Sequence, residues 1–157
     1  MFEPGKSSLV VYSFMYAPAG EQPCPMCVAL LDSLNGAARH IRDRVNLVVV
    51  AKAPVAKLAD WAGARGWHDL RFLSSGSNAY NIDYFAEDDV GAQWPCLNVF
   101  TKAADGGVRH FYAAELFFTG SPDGMHARHV DMIWPLWNVF DLTPEGRSAE
   151  WFPKLEY

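Results

Sequence analysis

The amino-acid sequence predicts an α/β fold in which helices flank a central mixed sheet of about four to five strands. Between Ser8 and Gly66, apolar runs rich in β-branched residues alternate with segments whose apolar side chains recur every three or four positions. Later, two further apolar runs flank Ala104-Asp105-Gly106-Gly107, a sequence typical of the turn in an antiparallel hairpin. Strands joined through helices pair in parallel, whereas hairpin strands pair antiparallel, so the two patterns together predict a mixed sheet.

The composition fits one globular domain covering residues 1–157. Half of the residues are hydrophobic and 14% are aromatic, which is enough for a packed core without disulfide staples. The net charge is −5 and no basic cluster exists, so nucleic acid is not an expected partner. No apolar run approaches the roughly 20 residues of a membrane helix, and the first residues lack the order of a secretion signal. We therefore expect a cytoplasmic protein that does not bind membranes, where a cysteine pair is more often catalytic or reduced than structural.

The N-terminal part of the chain predicts a strand, a loop, a helix and a second strand. The run from Ser8 to Tyr16 is rich in β-forming residues and predicts a buried strand. Residues 17–23 contain two prolines and a glycine and predict a loop. Apolar side chains then recur at helical spacing from about Pro25 to Ile41. The run from Val45 to Ala51 is almost wholly apolar, as a central parallel strand covered on both faces would be.

A second helix and a short third strand are expected next. Pro54 occupies a typical helix start and Gly66 a typical C-terminal cap, and Leu70 to Ser74 predicts a short strand. The order of strand, helix, strand and helix implies a right-handed βαβ unit and a parallel sheet. Residues 75–81 are small and polar and predict a loop, and the acidic residues 87–89 predict a solvated surface.

The hairpin follows, with strands predicted over Leu97 to Thr101 and Val108 to Ala114. Regular alternation along the second strand places on one face Val108, His110, Tyr112 and Ala114. A loop rich in Gly, Pro and Ser is expected from Thr119 to Met125.

A last helix is predicted to carry Met132, Ile133, Leu136, Trp137 and Phe140. Pro135 either kinks this helix or marks its start, and Thr143-Pro144 ends it. The tail that follows contains Trp151, Phe152 and Tyr157, and we expect it to dock on the domain. Such an aromatic surface would also suit the contact between the two copies of a homodimer.

Cys24 and Cys27 carry the strongest chemical signal in the chain. Two cysteines separated by two residues, between a strand and a helix, are the sequence form of a redox dithiol. If the helix begins near Pro25, Cys24 lies at its N-terminal mouth, where unpaired backbone N–H groups and the helix dipole favour a thiolate. Cys27 then lies one turn further along, close enough to form a disulfide with Cys24. We expect Cys24 to be the nucleophile and Cys27 the resolving thiol, and we expect no cofactor.

The same spacing has two other interpretations. The pair is either structural and inert, or half of a zinc site, which would need a second pair of ligands. The third cysteine, Cys96, has no His-x-x-x-His pair near it, so no metal site is expected. Cys96 either adds a third thiol near the pair, for an alternative disulfide or a metal, or is a small buried hydrophobe that opens a strand. His126 and His129 offer two metal ligands, but two histidines on a loop are more often solvated polar residues.

The order of elements resembles the thioredoxin fold. Two motifs carry this resemblance: Cys24-Pro25-Met26-Cys27 at the start of the first helix, and Trp94-Pro95-Cys96-Leu97 just before the hairpin. In thioredoxin-like proteins a cis-proline occupies the second place and lies against the dithiol. The resemblance therefore implies a cis Trp94–Pro95 bond beside the dithiol. We expect Trp94 and Pro95 to shape the groove in which a substrate docks, although Trp94 is equally compatible with the core.

Longer stretches resemble a bacterial thioredoxin-like family catalogued as a domain of unknown function. The matching stretches are residues 8–15, 23–27, 50–54, 97–100, 109–111, 135–138 and 140–147. They span nearly all of the chain, and they imply a fold without an assigned reaction. Many members carry a longer N-terminal helical arm, which is absent here, so a single thioredoxin-like domain is expected.

These observations lead to three hypotheses about function. The first is a thiol–disulfide oxidoreductase that acts on a disulfide-containing protein or a small thiol. The second is a binding module in which the cysteine pair is buried and idle. The third is a peroxide-reducing enzyme, because the loop before Cys24 resembles that of peroxiredoxins. Those enzymes hold the peroxide with a Thr or Ser three residues before the cysteine; Glu21 stands there instead, and its carboxylate would repel a thiolate.

Overall fold

The computed structural model describes residues 1–115, 122–126 and 132–157. Within these ranges the chain forms five strands and four helices. Their bounds are β1 Ser8–Ser13, α1 Pro25–Arg44, β2 Asn46–Ala51, α2 Val55–Arg65, β3 Phe72–Ser74, α3 Tyr80–Asp83, β4 Cys96–Lys102, β5 Val108–Glu115 and α4 Leu136–Asp141.

The strands form one mixed sheet in the order β3-β2-β1-β4-β5. β1 pairs in parallel with β2, and β2 with β3, so α1 and α2 are the crossover helices. β4 pairs antiparallel with both β1 and β5. The mixed α/β sheet expected from the sequence is therefore confirmed.

The sheet has a hydrophobic cluster on each face. The larger cluster packs β1 and β2 against α1, α2 and the C-terminal segment that contains Trp134 and Trp137. The smaller cluster on the opposite face joins Leu9, Val11 and Phe100 to residues of α3 and its flank. β2 lies between the two clusters and all six of its residues are buried, as its almost unbroken apolar sequence predicted.

The regular alternation expected along β5 is wrong, because the strand contains a β-bulge. Val99 pairs with Tyr112 and Phe100 pairs with His110, which leaves Phe111 as an extra residue on β5. Successive residues of β4 face opposite sides of the sheet, so His110 and Tyr112 also face opposite sides. His110 accordingly stacks on Phe100, with 5.0 Å between ring centroids.

The acidic segment at residues 87–89 is more ordered than a solvated surface. Glu87 is largely buried and binds Lys52, whose Nζ lies 2.5 Å from its Oε1. Asp88 accepts hydrogen bonds from the backbone N–H groups of Ala92 (2.8 Å) and Val90 (3.1 Å). The expectation of simple solvation is correct for Asp89 alone, which is exposed.

The C-terminal helix is shorter than expected and begins after Pro135. Met132 and Ile133 precede α4, so the proline marks its start. The tail docks on the larger cluster through Trp151 and Leu155, whereas Tyr157 is 89% exposed. Part of the loop expected at 119–125 lies outside the described residues, as does His129. Among the described helices, none has the length and apolar character needed to cross a bilayer.

Candidate functional site

Cys24 is the N-cap residue of α1, just beyond the C-terminal end of β1. Its backbone N–H donates to the carbonyl oxygen of Met15 (3.1 Å), and its own carbonyl oxygen accepts the N–H of Val28 (3.0 Å). Pro25 occupies the first turn, which contains no acidic residue. The positive end of a 20-residue helix dipole therefore points toward Cys24, with no neighbouring carboxylate in that turn to oppose it.

The two cysteines differ in their access to solvent. Cys24 is half-buried, whereas the side chain of Cys27 belongs to the larger core cluster and is 0% exposed. The two residues lie close together, because the N-cap and the third residue of a helix are one turn apart. Cys24 is thus the more exposed residue of the pair, although it also packs against the larger cluster.

The loop that leads to Cys24 is attached to α2 by Lys57. The Lys57 ammonium donates to the carbonyl oxygens of Pro18 (3.2 Å) and Gly20, and it lies 4.7 Å from the centroid of the Tyr16 ring. The Tyr16 hydroxyl donates to the carbonyl oxygen of Glu21 (3.4 Å). Burial, together with the nearby charge of Asp60, raises the pKa of Tyr16 above that of an ordinary tyrosine. Sequence reasoning missed these contacts, since a lysine on a helix surface has no distinguishing pattern.

Trp94 and Pro95 lie at the same end of the sheet as Cys24. Cys96 pairs with Ser13, so Pro95 comes level with the end of β1, where the loop toward Cys24 begins. Pro95 is buried and Trp94 is half-buried. The Trp94 indole Nε1 donates to Asp88 Oδ2 (3.3 Å), which holds the ring against the acidic segment.

The cis geometry expected for the Trp94–Pro95 bond is wrong, since every described peptide bond is trans. The Trp94 N–H donates to the carbonyl oxygen of Ala86 (2.9 Å), and the preceding residue, Gln93, forms a β-bridge with Glu87. The backbone is therefore already extended before β4 begins, and no tight turn is present at Pro95. Cis bonds before proline typically occur in tight turns, and elsewhere the trans form is more stable by about 0.5–1 kcal/mol.

Cys96 faces away from the Cys24–Cys27 pair. In β4 its side chain shares a face with Asn98 and Phe100, and Phe100 belongs to the cluster opposite α1. The Cys96 thiol is 2% exposed and donates to the carbonyl oxygen of Phe85 (3.2 Å). This position agrees with the interpretation of Cys96 as a small buried residue that opens a strand.

A network of polar side chains lies on that same face of the sheet. Asn98 joins His110 Nε2 (2.9 Å from Asn98 Oδ1) to the Tyr80 hydroxyl (3.3 Å from Asn98 Nδ2). The Tyr80 hydroxyl also lies 3.4 Å from Ser13 Oγ. Burial raises the pKa of Tyr80 above that of an ordinary tyrosine. Sequence alternation could not find this network, because the bulge at Phe111 sets the face of His110.

The described residues contain no group of three or more side chains that could hold a metal ion. His126, one of the two histidines considered as ligands, is 3% exposed and stacks on Trp137 at 4.8 Å between ring centroids. It is therefore a buried aromatic neighbour rather than the solvated residue expected from the sequence.

Three solved structures are similar to this chain to different degrees. Peroxidoxin BcpB from Mycobacterium tuberculosis matches 71% of this chain and 69% of its own, with 16% identity and a TM-score of 0.54. Reduced Prx3 from Vibrio vulnificus matches 83% of this chain and 80% of its own, with 12% identity and a TM-score of 0.52. A secreted Mycobacterium tuberculosis disulfide oxidoreductase homologous to Escherichia coli DsbE matches 83% and 81%, with 16% identity and a TM-score of 0.44.

At these identities the first two similarities establish the fold alone, and the chain has the thioredoxin-like fold. No curated protein matches the sequence. Residues 1–157 match the family described as "Bacterial protein of unknown function (DUF899)".

Proposed function

The chain belongs to the DUF899 family of bacterial proteins of unknown function, and from the arrangement of its cysteines we propose that it is a thiol–disulfide oxidoreductase. The observation that carries the proposal is the half-buried Cys24 at the N-cap of α1, with the buried Cys27 one turn behind it. A nucleophilic thiol needs access and a positive electrostatic environment, and a resolving thiol needs proximity and protection from other reactants.

The reaction uses two successive displacements at sulfur. The Cys24 thiolate attacks one sulfur of a substrate disulfide, the substrate S–S bond breaks, and the departing thiolate takes up a proton. Cys27 then loses its proton and attacks the sulfur of Cys24, which releases the second substrate thiol and leaves a Cys24–Cys27 disulfide. The substrate gains two electrons and the cysteine pair loses two. A thiol or dithiol from outside the protein reduces the pair again, so the cycle needs no cofactor.

The half-buried Trp94, supported from beneath by the buried Pro95, forms the proposed surface for the substrate. Pro95 lies at the end of the sheet that also holds Cys24, and the Trp94 ring is kept in place by Asp88. The substrate is a disulfide-containing protein or a small thiol in its oxidised form, and the cytoplasm is the proposed location. We further propose that residues 1–157 act as one domain and that the exposed aromatic residues of the tail, Phe152 and Tyr157, contribute to the contact surface of a homodimer.

Replacing Cys24 by Ser tests the mechanism. Without the attacking sulfur, reduction of a protein disulfide in the presence of dithiothreitol should fall to the uncatalysed rate, because a serine hydroxyl is not ionised at neutral pH. Cys27→Ser should instead trap a mixed disulfide between Cys24 and the substrate, visible by mass spectrometry. Cys96→Ser is the matched control and should keep at least half of the activity. Full activity of the Cys24→Ser variant would refute the mechanism.

The alternative of a non-catalytic binding module predicts a different result. In that case Cys24 of the native protein should react with iodoacetamide no faster than a cysteine in an unfolded peptide at the same pH. The proposal expects half-maximal alkylation of Cys24 at a lower pH than for the peptide thiol, owing to the helix N-terminus.

Peroxide reduction is a second candidate activity, favoured by the similarity in fold to peroxidoxin BcpB. Glu21 argues against it, since an exposed carboxylate stands where a peroxide-holding hydroxyl would be needed. Oxidation of Cys24 by hydrogen peroxide at the rate of an ordinary thiol would dismiss this candidate. A rate about a millionfold higher, at the lower end of the accelerations that enzymes give, would establish it.

A further inference from the structure

We propose that Lys57 is a positioning residue that sets the conformation of the loop before Cys24 and so shapes the approach of a protein substrate to the dithiol. This inference rests on the proposed oxidoreductase function and extends it to a residue outside the cysteine motif. Lys57 lies on α2, and the loop, residues 17–23, lies between β1 and α1.

Separate hydrogen bonds join the two ends of the loop, which form its base, and attach its middle residues, which form its tip, to α2. At the base, the Cys24 N–H donates to the Met15 carbonyl oxygen. At the tip, the Lys57 ammonium donates to two loop carbonyl oxygens, those of Pro18 and Gly20. Hydrogen bonds from a charged donor are stronger than neutral ones, so Lys57 contributes more to the loop position than another polar residue of its size would.

Tyr16 places the Lys57 ammonium where it can reach both carbonyl groups. The ammonium lies over the face of the Tyr16 ring, a cation–π contact that orients the flexible side chain. Trp61, one turn after Lys57 on α2, packs edge-on against the same ring at 6.0 Å between centroids. The loop, Tyr16 and α2 therefore form one connected unit whose only cation in these contacts, among the described residues, is Lys57.

A groove of about 540 Å³ lies beside this unit. Residues of the loop, of α2 and of the C-terminal tail line it, among them Gln22, Trp61, Lys154 and Glu156. Gln22 is two residues before Cys24 in the chain, so a protein substrate large enough to cover both residues would contact the groove. A small disulfide would occupy only the sulfur itself and would not sense the groove.

Kinetics with two substrates of different size test the role of Lys57. Insulin serves as the protein disulfide and 5,5′-dithiobis(2-nitrobenzoic acid) as the small one, and dithiothreitol reduces the enzyme. For Lys57→Met we expect KM for insulin to rise about fivefold, as for the loss of one partly exposed charged hydrogen bond, with kcat changed less than about twofold. The rate with the small disulfide should stay at the wild-type value or rise about threefold, because release of the loop exposes Cys24 more. Lys57→Arg keeps the positive charge and can still donate to both carbonyl oxygens. In this variant KM for insulin should return at least halfway to the wild-type value.

Lys102→Met is the matched control, because Lys102 is exposed at the end of β4 and far from the loop in the sheet. It should behave as wild type with both substrates. Two outcomes would refute the proposal. In the first, Lys57→Met shows the same KM and kcat as Lys102→Met. In the second, Lys57→Met loses activity equally with both substrates, and Lys57→Arg does not recover it.

The rate of Cys24 alkylation by iodoacetamide separates this proposal from the proposed function. If wild type reduces neither disulfide, the oxidoreductase function fails, but the loop is still tested. Release of the loop should raise the alkylation rate of the half-buried Cys24 about threefold or more in Lys57→Met and not in Lys102→Met. An unchanged alkylation rate would show that Lys57 does not control the loop.

Discussion

The environments of single residues separate two cysteines that the sequence presents as equivalent. Cys24 precedes the first turn of α1 and borders the loop, whereas Cys27 points into the larger core cluster. Cys96, the third cysteine, lies on the other face of the sheet. The chemical roles proposed for the three sulfurs follow from these different surroundings.

A single close contact governs the expected effect of a substitution at Gly76. A Cβ atom at this position would lie 2.6 Å from the carbonyl oxygen of Lys52, which belongs to the backbone and cannot move aside cheaply. We expect Gly76→Ala to lower the free energy of unfolding by about 1–3 kcal/mol, measured by urea denaturation.

Gly63 provides the matched control for this prediction. It lies on the exposed side of α2, and nothing within 4 Å would meet its Cβ. Gly63→Ala should raise the free energy of unfolding by about 0.5–1 kcal/mol, because alanine loses less conformational entropy in a helix. Equal effects of the two substitutions would contradict the close contact at Gly76.

The short helix α3 is attached to the sheet through polar contacts as well as through apolar packing. It is four residues long, too short to be stable alone, and its first residue, Tyr80, joins it to β1 and β4 through Ser13 and Asn98. Tyr84, which follows α3, packs edge-on against Phe100 at 5.1 Å between centroids. Together these contacts allow a helix of only four residues to cover part of the sheet face that carries the smaller hydrophobic cluster.

The raised pKa of Tyr80 makes the stability of this attachment depend on pH at the alkaline end. Burial is the main cause of the raised pKa, so the folded state holds the phenolic proton more tightly than the unfolded state does. Its contribution is fully present below the ordinary tyrosine pKa of about 10 and is lost as pH rises through the higher folded value.

Substitution of Tyr80 by Phe isolates this contribution. We expect the free energy of unfolding of wild type to fall more steeply between pH 9 and 11 than that of Tyr80→Phe, measured by chemical denaturation across that range. At pH 7 the variant should be less stable by about 1 kcal/mol, because Asn98 loses a hydrogen-bond partner. Parallel pH profiles for the two proteins would show that Tyr80 does not titrate differently in the folded state.

The C-terminal tail packs across α4 and the larger hydrophobic cluster and forms a hydrogen bond with α2. Trp151 packs edge-on against Phe140 of α4 at 5.0 Å and against Trp137 at 6.2 Å between centroids. Arg65 of α2 donates to the carbonyl oxygen of Leu155 (2.9 Å) and also binds Asp32 of α1. The tail thereby connects both crossover helices to the last helix and forms one wall of the groove near Cys24.

Removal of the Trp151 side chain should weaken the packing of the tail on the rest of the domain. We expect Trp151→Ala to lower the free energy of unfolding by about 2 kcal/mol, less than the 3–5 kcal/mol typical of a fully buried aromatic, because Trp151 is half-buried. Tyr157→Ala, in the same tail but 89% exposed, should change stability by less than about 0.5 kcal/mol. Similar values for both variants in urea denaturation would show that the tail does not stabilise the fold through Trp151.

The sequence by itself determined the order of the five strands and of α1 and α2, the start of α1 at Pro25, the cap at Gly66 and the spacing of Cys24 and Cys27, because periodicity, proline and glycine act over a few residues. It did not predict α3, which begins inside the loop expected at residues 75–81. Only the tertiary structure decided which face holds Cys96 and where the bulge in β5 falls. It also decided the trans bond at Pro95 and the reach of Lys57 to the loop before the dithiol. These features depend on contacts between residues far apart in the chain, and no local pattern encodes the register and packing that bring them together.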